Sequence, residues 1–160
     1  MGLCYSSQMA KNFWLMKTEP SVYSIDDLQR DKTTLWEGVR NYQARNFMTE
    51  MQAGDEVLIY HSSAEPPGVA GIATVVGKAK PDPSQFNKKS EYYDPKATPE
   101  KPIWFCPEVR FVSKFSTFVS LDSLRTTKGL EDLLVLKRGQ RLSIQPVKES
   151  HFNKIAGLAK

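Results

Sequence analysis

The sequence predicts an α+β fold, a small mixed β-barrel of five or six strands with short helices packed at its ends. Two observations carry this expectation. The β-rich runs are short and do not alternate regularly with helical stretches, which excludes a doubly wound parallel sheet. At 160 residues the chain has the length of one domain, enough to bury roughly 70% of its unfolded surface without staples. Neither an internal repeat nor a linker interrupts it. The expected division is therefore residues 1–10 as a disordered leader or cloning-derived segment and residues 11–160 as a single domain.

Phe13-Trp14-Leu15-Met16 reads as a buried strand ending at the turn Lys17-Thr18-Glu19-Pro20. Ser24, with Asp27 three residues on, is a helix start of the capping-box kind. Thr33 to Trp36 reads as a short extended piece. From Asn41 to Met51, apolar residues recur at helical spacing until Gly54 stops them. Glu56 to His61 is β-rich, and Gly68 to Val76 is a second strand whose small residues admit close backbone approach or a bulge. Residues 81–102 form a long polar excursion rich in proline, a length that is usually functional. Ile103 to Phe118 reads as a strand, or a hairpin with a bulge near Pro107. A turn and one or two short helices follow from Leu121 to Leu136, then a strand, Arg141 to Val147, and a closing helix, Glu149 to Leu158.

Composition narrows the function classes. The net charge of +4 suits a polyanionic partner without requiring one. Two cysteines, Cys4 and Cys106, make no disulfide framework or metal-ligand spacing, so a reducing compartment, cytoplasmic or nuclear, is the default. No metal and no cofactor are expected. No window is apolar for long enough to span a membrane. Met1-Gly2-Leu3-Cys4-Tyr5-Ser6 fits an acylation pattern, but no polybasic cluster follows it, and Met9 as the natural start is the plainer reading.

Enzyme motifs are scarce. His61 and His151 imply no metal pair, and neither a nucleophile elbow nor a phosphate-cradling glycine loop is present. His61-Ser62-Ser63 reads as hydrogen-bonders at a strand end. Lys17 and Glu19, two apart on an extended segment, share a face, as an ion pair or as pocket residues. The richest stretch is Trp36 to Met48, where Arg40, Asn41, Tyr42, Gln43, Arg45 and Asn46 are stackers, fork donors or two-way hydrogen-bonders. Base recognition uses this kit: aromatic faces for stacking, amides for base edges, arginine for phosphates and planes. Trp14, Phe47 and Trp104 read as core, whereas Trp36 suits either core or pocket wall.

Five segments, 13–20, 36–46, 54–62, 92–96 and 141–147, together resemble the EVE domain family, in order from about Asn12 to the end. The resemblance implies a PUA-like fold related to the YTH and ASCH domains, and binding of modified bases such as 5-methyl- and 5-hydroxymethylcytosine. Carried over by motif, the base pocket is Lys17, Thr18, Glu19, Pro20, Trp36, Asn41, Tyr42, Gln43, Tyr60, His61 and Ser62, with Arg40 and Arg45 on phosphates. The expected function is non-catalytic binding of DNA or RNA through a pocket for a flipped base, by a monomer. The alternatives are a base-amide hydrolase of the ASCH type using Lys17 and Glu19, and a non-selective RNA-binding module.

Overall fold

The computed structural model describes residues 11–160; the expected leader, its acylation pattern and Cys4 lie outside the described residues. In chain order the elements are β1 (Phe13–Thr18), α1 (Ile25–Asp31), β2 (Thr33–Leu35), α2 (Tyr42–Glu50), β3 (Glu56–His61), β4 (Gly68–Val75), β5 (Lys80–Pro81), β6 (Phe105–Cys106), β7 (Glu108–Ser120), α3 (Leu121–Thr126), β8 (Ile144–Val147) and α4 (Glu149–Leu158), with 3-10 turns at Pro83–Phe86 and Leu134–Leu136. Six strands make one mixed sheet in the order β2-β7-β4-β3-β1-β8, curled into a half-barrel, while β5 and β6 form a separate ribbon.

β1 organises both faces. With a side-chain period of two, Trp14 and Met16 enter one core cluster and Phe13 and Leu15 enter the other. Ile25 and Leu28 of α1 and Ala44 and Met48 of α2 join the Trp14 face. Leu124 of α3 and Phe152 and Ile155 of α4 join the Phe13 face. Each of the Leu, Ile, Met and Phe side chains among them stabilises by about 1.5–3 kcal/mol on full burial. In α2 the inward residues are Ala44 and Met48, followed by Met51, one helical face, while Tyr42 points to solvent.

The parallel pairing of β1 with β3 places the rest. A parallel pair needs a crossover rather than a hairpin, and the crossover here carries α1, β2 and α2. Midway, β2 pairs with β7 at the far edge of the sheet. The chain must then return, and the return is the segment from Trp36 to Asn41. The capping box expected at Ser24 is present: its hydroxyl accepts from the Asp27 amide (3.1 Å) and the Asp27 carboxylate accepts from the Ser24 amide (2.9 Å).

Residues 103–118 resolve into β6, a break at Pro107, and the long strand β7, whose register against β4 shifts at two places. Gly71 sits at one of them. A Cβ there would come within 2.4 Å of the Ser113 carbonyl oxygen, so the close approach requires glycine.

Candidate functional site

Two clefts meet at Lys17. The first, about 830 Å³, lies between the end of β1 and the returning crossover; Lys17, Thr18, Glu19, Trp36, Glu37 and Asn41 line it, with Glu91 and Tyr92 from the long polar loop. The second, about 600 Å³, lies beyond the end of β3 and is lined by Lys17, Tyr60, Ser62, Arg125, Lys137 and Arg138 among others.

Trp36 is 7% exposed and belongs to the core cluster, yet it also lines the first cleft. The two other indoles donate to carboxylates: Trp14 Nε1 to Asp55 (3.0 Å) and Trp104 Nε1 to Asp94 (2.8 Å). No hydrogen-bond partner for Trp36 Nε1 is found among the described residues, and it is not sealed from solvent. A buried tryptophan normally finds a partner, so an open N–H at a cleft wall is a donor available to a ligand. Glu19, Glu37 and Glu91 line the same cleft. Burial raises the Glu37 pKa, the Asp82 charge adds to this, and Arg40 opposes it.

The crossover wall is held by the long loop, through one buried carboxylate. Asp82 is 2% exposed. It accepts from the Gly38 amide (2.8 Å), from Arg40 Nη1 (3.1 Å) and from the Ser84 amide (2.8 Å). Burial works to raise its pKa, and the hydrogen bonds from Ser84, Gly38 and Arg40 outweigh that, leaving it below the usual carboxylate value. Gly38 has φ +87°, and a Cβ on it would sit 2.7 Å from the Tyr92 ring. Glycine is therefore required twice over: for the turn, and for Tyr92 to close the cleft against the backbone.

Arg40 is committed to the same clamp. Its Nε and Nη2 donate to the Tyr92 carbonyl (3.1 and 2.8 Å), Nη1 to Val39 and Asp82, and Nη2 also to Ser84. All five guanidinium donors have partners inside the protein, so Arg40 is a positioning residue here rather than a phosphate ligand. Arg45 is similar: it donates to the Ile103 carbonyl (2.9 Å) and to Asn46, and lies 5.0 Å from the centroid of Tyr42. Tyr42 in turn stacks on Trp104 at 4.9 Å. Tyr42 therefore lies outside the first cleft, and Gln43 is exposed elsewhere on α2.

The remaining expected residues divide. Asn41 lines the first cleft, but its Oδ1 caps α2 by accepting from the Ala44 amide (2.8 Å). The Thr18 hydroxyl donates to the Tyr23 carbonyl (2.7 Å) and holds the turn that Pro20 shapes. Tyr60 and Ser62 face the second cleft, because the strand end carries them past β1. His61 lines neither; its Nε2 accepts from the Ile25 amide (3.1 Å) and so anchors α1. Lys17 and Glu19 form no ion pair among the described residues. Lys17 Nζ donates to the Gln140 carbonyl (3.4 Å), 5.9 Å from the Tyr60 ring centroid, and burial lowers its pKa. Glu19 accepts from Ser63 at 3.5 Å.

Sequence reasoning missed Glu37, Glu91 and Tyr92 as wall residues and Asp82 as the carboxylate that holds the wall. An acid between two prolines, Pro81-Asp82-Pro83, was the available signal, since Asp before proline favours a turn that its carboxylate can cap. Cys106 is buried, its thiol pushed up to about 12 by burial, and is inert as a nucleophile. No group of metal-ligating side chains occurs among the described residues, and no described helix is long and apolar enough to cross a membrane.

A half-barrel whose parallel crossover walls a donor-and-acceptor cleft defines a ligand-binding domain, and comparison with known proteins gives its family. The EVE domain model matches residues 12–158, and the chain belongs to that family. Rat thymocyte nuclear protein 1 is 40% identical over 165 residues, covering 92% of this chain and 73% of the relative. The structure of a hypothetical protein from Leishmania major superposes with a TM-score of 0.90 at 44% identity, over 94% of this chain and 96% of that one. The structure of human THYN1 protein in complex with DNA containing 5-methylcytosine superposes with a TM-score of 0.85 at 38% identity, over 94% and 98%.

Proposed function

We propose that this protein binds DNA without catalysis, as a monomer, by accepting a modified cytosine, flipped from its stack, into the first cleft. The observation that carries the reading is that Trp36, whose N–H has no partner among the described residues, lines one cleft together with Glu19, Glu37 and Glu91, in a chain whose human relative is bound to 5-methylcytosine DNA. A cytosine ring presents acceptors at N3 and O2 and a donor at its exocyclic amine, and carboxylates are the groups that accept from that amine. Flipping costs a few kcal/mol, and stacking against aromatic faces returns ~1–3 kcal/mol.

Hydrolysis by Lys17 and Glu19 is the weaker reading, because Lys17 is turned toward Gln140 and Glu19 toward Ser63. The same reading puts the protein where its DNA is, the nucleus of a eukaryote or the cytoplasm of a bacterium. The test is a titration of oligonucleotides carrying 5-methyl-, 5-hydroxymethyl- or unmodified cytosine, as DNA and as RNA. A methyl group in an apolar contact is worth ~1–3 kcal/mol, so graded discrimination is expected; equal affinities across the series reject the proposal.

A further inference from the structure

We propose that the second cleft grips the phosphate backbone of the strand whose base enters the first. This rests on the base-reading role above and assigns a site for the other half of the nucleotide. Four cations line this cleft, Lys17, Arg125, Lys137 and Arg138, together with the hydroxyl-bearing Tyr60 and Ser62. Among the described residues no carboxylate side chain lines it, in contrast to the three of the first cleft. Among the described residues only Arg125 of the four is ion-paired, to Asp122 at 3.7 Å, and both partners are largely exposed.

The geometry links the two clefts. The turn Lys137 to Gln140 closes by a hydrogen bond from the Gln140 amide to the Lys137 carbonyl (3.1 Å). The Gln140 carbonyl then receives Lys17 Nζ (3.4 Å), the residue common to both clefts. A nucleotide offers a flat ring at one end and an anion at the other, and the adjoining clefts offer the matching chemistry in the same order. Arg40 of the first cleft and Arg45 of α2 are not available for this purpose, since both are held by carbonyls and side chains of the protein itself. Lys137 and Arg138 are exposed, as phosphate ligands that act by releasing counterions should be.

The experiment is the salt dependence of binding for Lys137→Gln/Arg138→Gln, with Lys88→Gln/Lys89→Gln as the charge-matched control on the long loop. The probe is an oligonucleotide with one 5-methylcytosine, beside its unmethylated twin, from about 50 to 200 mM salt. Loss of two phosphate contacts should flatten the slope of log affinity against log salt by ~1.4–1.8. Both affinities should fall by the same factor, leaving the methylated-to-unmethylated ratio unchanged. An unchanged slope, or equal flattening by the control pair, overturns the inference. If wild-type protein shows no methyl discrimination but the slope still flattens for Lys137→Gln/Arg138→Gln alone, the base-reading role fails and the phosphate cleft stands.

Discussion

The two clefts share Lys17 and differ in almost everything else. The first is walled by backbone and side chains locked to a buried carboxylate, with Arg40 fully engaged in holding its shape. The second is rimmed by exposed cations on a short helix and a turn, and none of Lys17, Lys137 and Arg138 is paired with an acid among the described residues. Rigid walls suit the reading of a base, where a displaced donor loses its hydrogen bond. Exposed charges suit a phosphate, which needs neutralising rather than measuring. The lesson is that the arginines nearest an aromatic-rich stretch need not be the ones that meet the anion; what decides is whether their donors are already occupied.

The largest effect should come from Asp82→Ala, which leaves Arg40 and the Gly38 amide without their shared acceptor. Removing one partner of a buried ion pair costs about 3–5 kcal/mol. Denaturant melts should show that loss, and discrimination between methylated and unmethylated cytosine should disappear while the salt-dependent binding of the second cleft persists. Wild-type discrimination in the folded variant would mean that the long loop does not hold the wall.

Gly38→Ala should be milder. A non-glycine residue at its left-handed φ costs about 1–3 kcal/mol, and the added methyl displaces the Tyr92 ring. The expected result is a lowered melting temperature with reduced discrimination and an unchanged salt slope.

His61 gives a pH effect outside both clefts. Burial depresses its pKa, Asp26 opposes this, and Lys114 adds to it. The unfolded chain therefore takes up the proton first, so stability is intact above the unfolded value of about 6.5 and declines as the pH falls below it toward the depressed folded value. Protonation also removes the acceptor of the Ile25 amide. Melting temperatures on either side of about pH 6 should fall on acidification in the wild type, and His61→Gln should remove that part of the pH dependence.

Much of the fold was legible because it rests on local rules. The capping box at Ser24, the strand at Phe13 and the helix stripe ending at Met51 follow from spacing and turn chemistry. The two-stranded ribbon of β5 and β6 was not, since two residues apiece leave no periodicity to read. For the site, Lys17, Thr18, Glu19, Trp36 and Asn41 do come together around one cleft. What could not be read was partnership across the sequence. Whether Arg40 meets a phosphate or the Tyr92 carbonyl, 52 residues away, depends on how the long loop folds back. The motif resemblance groups Tyr60 and Ser62 with Trp36 in one pocket, whereas the sheet carries them to the far side of Lys17. Trp36 itself resolves into both roles, since it belongs to the core and yet lines the cleft, with an N–H that has no partner among the described residues. For that reason Trp36→Ala would confound binding with a loss of about 3–5 kcal/mol in stability, and Trp36→Phe is the informative change.

The most direct measurement is the ratio of affinities for 5-methylcytosine and cytosine oligonucleotides in wild type and Trp36→Phe, each at two salt concentrations. Wild type should favour the methylated strand. Trp36→Phe should collapse that ratio toward one, through loss of the open indole N–H and reshaping of the wall, while its salt dependence matches wild type. A ratio that survives Trp36→Phe, or that moves only together with the salt slope, would contradict the division of base and phosphate between the two clefts.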